Sequence, residues 1–130
     1  MAIRTVQLGT PRRRGEGARL GTVRRPPRGV RKPEYASRDY FDVWMPELAP
    51  AALLMSWAHS EPWTSARWTT FARRYRRQMQ APAAGRLIAL LAALSRTADF
   101  SIGCYCQDAS RCHRTLLREL LEDADASLSD

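Results

Sequence analysis

"DFSIGCYCQDASRCHRTLLRELLEDADA", residues 99–126, changes its period partway along. Residues 99–106 are short, apolar and β-rich, the pattern of a strand covered on both faces. "QDAS" (107–110) is turn chemistry. From 111 to 126, Leu116, Leu117, Leu120 and Leu121 recur at helical spacing, with Asp108 or Ser110 as the candidate cap. A buried strand that turns into an amphipathic helix is the repeating unit of an α/β domain.

The rest of the chain fits around this C-terminal strand–loop–helix unit. "IRTVQLG" (3–9) alternates and is β-branched, so it reads as a strand. "TPRRRGEG" (10–17) is a turn, and "ARLGTVR" (18–24) reads as a second strand interrupted by Gly21. Residues 25–38 hold three prolines and form an exposed loop. Residues 39–45 hold a short extended piece. Residues 50–58 read as a helix burying Leu53, Leu54 and Trp57. Residues 65–80 read as a helix capped by Ser65, with Trp68, Phe71, Tyr75 and Met79 on one stripe. Residues 82–96 read as a third helix, with Leu87, Ile88, Leu91 and Leu94 inward. The expected fold is α/β: one domain over 1–130, with a small, largely parallel sheet packed by helices. The acidic tail 122–130 is expected to fray.

Composition narrows the function classes. Apolar residues are 45% of 130, enough for one core, and no apolar run approaches the ~20 residues of a membrane span. The N-terminus lacks an apolar leader segment. Three cysteines, an odd number, favour free thiols in a reducing compartment. The reading is a cytoplasmic protein with no membrane partner. The net charge of +8 is concentrated in the first 33 residues, which carry +9, while the remainder carries −1. A basic loop over 10–33 attracts polyanions at long range.

Residues 104–114, "CYCQDASRCHR", contain an anomaly. A helix N-terminus carries a partial positive charge and unsatisfied N–H groups, so it favours acids. This one offers Arg111, His113 and Arg114, and places Glu119, Glu122 and Asp123 toward the other end. An anion held by backbone N–H groups and guanidinium groups would resolve the conflict. Asp108, Ser110, Arg111 and Arg114 are therefore candidate ligand-binding residues. Cys112, Cys106 and His113 are candidate catalytic ones, because a thiolate at a helix start beside cations is activated. Against this, His113 points about 100° from Cys112 on a helix, and the spacing misses the Cys-x5-Arg loop of cysteine phosphatases. Cys104, Cys106, Cys112 and His113 lack the spacing of a zinc site, so no metal and no cofactor is expected. His59 reads as a solvated helix-end residue, Trp57, Trp63 and Trp68 as core, and Arg73–Arg77 as a solvated face.

Several motifs together resemble the domain of unknown function 488 family, in its YeaO-like branch. They are the strand running into "RRPPRGV" (24–30), the segment "DYFDVWMPELAP" (39–50), the helix with Trp68, Phe71 and Tyr75, and Cys106-x-Asp108 followed by "CHR" (112–114). The resemblance spans about residues 3–121. Pro26 stands where the family pattern has an aromatic. The resemblance implies a bacterial α/β domain of no established activity. It also suggests that Arg24 and Arg28 face Arg111, His113 and Arg114 across one cleft, if the second strand lies parallel beside the last. The leading functional reading is an anion pocket at the last strand–helix turn for a phosphate- or carboxylate-bearing small molecule or nucleotide. Rival readings are a nucleic-acid module using the basic loop, a cysteine-dependent enzyme, and a non-catalytic partner-binding protein.

Overall fold

In the computed structural model, which describes residues 1–129, four strands form one sheet. These are β1 (Ile3–Gln7), β2 (Ala18–Gly21), β3 (Val43–Trp44) and β4 (Phe100–Cys104). Their order is β1-β4-β2-β3 and every pairing is parallel. The helices are α1 (Ala52–His59), α2 (Ser65–Gln78), α3 (Pro82–Leu94) and α4 (His113–Asp123). The expected α/β architecture is what forms. No helix among the described residues is long and apolar enough to cross a membrane.

β4 is central, and all five of its residues are buried, which is why its sequence lacks polar alternation. Ile3, Leu20, Phe100 and Ile102 pack into one apolar cluster with the helices. Phe71, Tyr75 and Met79 of the α2 stripe join it, and Trp68 lies at its margin. The buried Tyr75 hydroxyl donates to the carbonyl of Leu48 at 2.8 Å.

Four local expectations are corrected. α2 is capped by Thr64, whose hydroxyl accepts from the Arg67 amide at 3.1 Å, not by Ser65. Leu53 is 86% exposed, because α1 turns Leu54 and Ala58, four apart, to the core. Leu94 is 44% exposed, since the inward face of α3 passes from Leu91 to the buried Ser95. The tail does not fray: Ile3 N–H donates to Ser127 O and Ser129 N–H donates to Ile3 O, both at 2.9 Å. Leu128 thereby pairs parallel with Ile3, at the first residue of β1's outer edge. Asp130 lies outside the described residues.

The opposite face of the sheet is covered by loops. Residues 8–17 return the chain from β1 to β2 without a helix. Arg19, at 1% exposure, points from β2 into this layer. Its guanidinium donates to both carboxylate oxygens of Glu16 and to the carbonyls of Thr10, Pro11 and Asp39. Glu16 also accepts from the Arg13 amide at 2.9 Å. Gly17, at φ +77°, sits so close to the Asp99 carbonyl that a Cβ would lie 1.9 Å from its oxygen.

Burial raises the Glu16 carboxyl, but hydrogen bonds from Arg19 and the Arg13 amide hold it below its ordinary 4.5. Its contribution to stability is thus present above pH 4.5 and is lost as pH falls through the depressed value. Glu16→Ala leaves Arg19 buried without its partner and should cost about 3–5 kcal/mol in denaturant unfolding at neutral pH. The variant should also lack that part of the acid dependence; a variant as stable as the parent would show that the pair does not hold the loop.

Candidate functional site

The carboxyl ends of β1, β2 and β4 meet the start of α4. β4 ends at Cys104, and Asp108 Oδ1 accepts from both the amide and the hydroxyl of Ser110, at 3.0 and 2.6 Å. That closes a single 3-10 turn, Ala109–Arg111, and α4 starts only at His113 with Cys112 at its N-cap. The exposed Asp108 and Ser110 are thus engaged with one another.

The cations at this helix start are answered from within. Arg114 is buried, and its Nη1 donates to the carbonyls of Cys106 at 2.8 Å and Val6 at 3.3 Å. The His113 ring donates from Nε2 to the Thr22 carbonyl at 2.6 Å. Burial pushes His113 down to about 4, outweighing the Thr22 bond, so the ring is neutral at physiological pH. Arg111 turns the other way and lies over the Trp68 ring, 5.5 Å from its centroid. The reversed charge pattern thus reflects carbonyl groups at the strand ends. Arg111, His113 and Arg114 do not share one concavity.

What converges instead is sulfur. The Sγ atoms of Cys104, Cys106 and Cys112 all lie within 4.8 Å of one another. Cys104 and Cys112 are buried; Cys106 is partly exposed. Thiol hydrogen bonds, from Cys104 first and then Cys112, hold the Cys106 thiol far below its ordinary value against the cost of burial, and Arg114 adds in the same direction. The other two move the opposite way: Cys104 is pushed up to about 11 mainly by its bond to Cys106, and Cys112 is pushed up further by its bonds to Cys104 and Cys106. His113 Nδ1 lies 3.9 Å from Cys112 Sγ, while its Nε2 is committed to Thr22. His113 is therefore a buried anchor, and Cys106 is the thiol of the three whose ionised form its neighbours favour.

A cleft of about 650 Å³ opens beyond the ends of β2 and β4. It lies between residues 24–28 and the Ala52, Met55, Ser56 and His59 face of α1. Arg24, Arg25, Arg28, Tyr40 and Tyr105 line it, and among the described residues no acid does. The Arg24 guanidinium is fixed by the carbonyls of Ala49 and Pro50 at 3.0 and 3.1 Å. The Tyr105 hydroxyl donates to the Arg25 carbonyl at 2.8 Å, and its ring meets Tyr40 edge-on at 6.2 Å. β2 does lie parallel beside β4, as the pairing of motifs required. Arg24 and Arg28 share this cleft, but Arg111 and Arg114 do not line it. Arg25, Tyr40, His59 and Tyr105 were not read as site residues from sequence. The available signal was Tyr105, a large aromatic directly after a fully buried strand.

A family model described as "Active DUF488-N3 subclade" matches residues 3–125. The chain belongs to the DUF488 family. The assignment drawn from the Arg-Gly loop, the aromatic helix and the Cys-His-Arg motif therefore stands, and the matched subclade is N3. No curated protein and no solved structure matches this DUF488 chain. The shared match runs from β1 through α4, so it takes in the thiol cluster and the cleft together.

Iodoacetamide should modify Cys106 before Cys104 or Cys112, as read by peptide mass spectrometry. Between about pH 8 and pH 6 its rate should stay nearly flat, whereas an ordinary thiol slows by about tenfold per pH unit. An ordinary pH profile at Cys106 would show that its neighbours do not hold it ionised.

Proposed function

We propose that this DUF488 protein binds a phosphate- or carboxylate-bearing small molecule or nucleotide in the cleft between residues 24–28 and α1. The observation that carries the reading is the cleft's lining, with three arginines and a histidine and, among the described residues, no acid. Its volume, about 650 Å³, suits a small ligand. Its position also fits, because ligands of parallel sheets bind beyond the carboxyl ends of the strands. Arg24 is a preset donor, already held by two carbonyls. Among the described residues, no ion-pair partner engages Arg25 or Arg28. The Tyr40 and Tyr105 rings offer apolar surface for the uncharged part of the ligand.

The reading moves the anion site away from Arg111 and Arg114. It is also favoured over the nucleic-acid module, because three of the nine cations of the basic loop are used in the fold. Arg12 pairs with Asp39 and Asp42, Arg19 with Glu16, and Arg24 with two carbonyls. The cysteine-dependent reading narrows to Cys106, since Cys112 and His113 are buried and bonded to neighbours.

Thermal melting with inorganic phosphate and with nucleoside mono- and diphosphates tests the cleft. A ligand at 100 times its Kd should stabilise by about 2.7 kcal/mol. The Arg25→Ala/Arg28→Ala double variant should lose the shift, and Arg111→Ala should keep it. A shift that survives in the double variant rejects the cleft. Loss in Arg111→Ala would return the site to the helix start.

A further inference from the structure

We propose that Cys104, Cys106 and Cys112 form a three-sulfur site for a divalent thiophilic metal ion such as Zn²⁺. The proposal goes beyond ligand binding in the cleft and is independent of it. Three backbone positions with different conformations deliver the sulfurs: the last residue of β4, the loop after it, and the N-cap of α4. All three Sγ atoms lie within 4.8 Å of one another. With Zn–S bonds of ~2.3 Å, ligand sulfurs on one ion sit roughly 3.8–4.0 Å apart. The cluster therefore needs to close by less than about 1 Å to take an ion at that bond length.

Charge and outer contacts suit the same occupant. Three thiolates around a divalent cation leave one net negative charge in a mostly buried place. The buried guanidinium of Arg114 lies beside it, with Nη1 3.8 Å from Cys104 Sγ. The amide of Cys106 also donates to Cys104 Sγ, at 3.4 Å. N–H donors aimed at a ligating sulfur are the usual outer contacts of thiolate metal sites. His113 is left out of the ligand set because the ligand atoms that lie within 4.8 Å of one another are the three sulfurs alone. The partial exposure of Cys106 gives an ion its entry, and leaves the fourth position to water or a small exogenous ligand. Cysteine spacing conceals the site, since the sulfurs are gathered by a strand end and a helix start rather than by one loop.

The test titrates the reduced, tag-free chain with Co²⁺ and then with Zn²⁺ against a chromophoric chelator. Expected are sulfur-to-cobalt charge-transfer bands that saturate at one ion per chain and are displaced by Zn²⁺. Cys106→Ser should weaken binding by at least about 100-fold, the upper end of what losing a mere supporting contact costs. Cys106 is chosen because it is the partly exposed sulfur. Circular dichroism checks that the variant is folded. X-ray absorption at the zinc edge of the unmutated chain should show three sulfur neighbours at ~2.3 Å. Absent charge-transfer bands, bands left unchanged by Cys106→Ser, or fewer than three sulfur neighbours would each overturn the proposal. Phosphate binding in the cleft is measured separately and stands or falls on Arg25 and Arg28.

Discussion

The buried ion pair between Arg19 and Glu16 is the constraint on which this small fold depends. Parallel strands are ordinarily joined by a crossover helix that covers one face of the sheet. Residues 8–17 are too few for one, so a polar loop lies where an apolar helix would be. Such a loop brings carbonyl groups that need donors. One guanidinium meets the carbonyls of Thr10, Pro11 and Asp39, and one carboxylate neutralises it. Burying the two charges is costly, and good geometry with several hydrogen bonds is what offsets that cost.

The same principle recurs at the other end of the sheet. The carboxyl ends of parallel strands leave carbonyls that no neighbour fills. Arg114 and His113 sit at the start of α4 because Val6, Cys106 and Thr22 need donors there. A pattern unfavourable to the helix alone is favourable to the sheet. By drawing the first turn of α4 down onto the strands, these bonds bring Cys112 beside Cys104 and Cys106. Of the residues expected to hold an outside anion, Arg114 instead lies beside the sulfur cluster. The cleft lined by Arg24, Arg25 and Arg28 has Tyr105, the residue after β4, in its wall.

Much of the fold was legible because burial leaves periodic marks. The run at 99–106 had no polar alternation, and it became the central strand. The stripe Phe71, Tyr75, Met79 predicted one face of α2 and packs there. Failures came where local signals competed. Thr64 and Ser65 are adjacent cap formers, and only the path of the chain into α2 chooses between them. Leu53 and Leu94 are leucines in helices, yet a short helix shows the core only one narrow face. The tail read as frayed because its acids and serines lack hydrophobic pattern; it is held by backbone bonds to Ile3, which leave no such mark.

The candidate site was legible in part. Residues 24–28 and 104–114 stood out through their arginines and cysteines, and both lie at the strand ends. Which arginines share a space was not readable, because that depends on strand order and on what each guanidinium finds to bond. By itself the sequence determined the α/β class, the buried last strand, the inward face of α2 and the location of the positive charge, since periodicity and composition act within a few residues. Only the tertiary structure decided that Arg19 and Arg114 face inward, that Arg24 and Arg28 line the cleft, and that three sulfurs meet. Those outcomes rest on hydrogen-bond and charge partners brought together from distant parts of the chain, as Arg114 is to Val6.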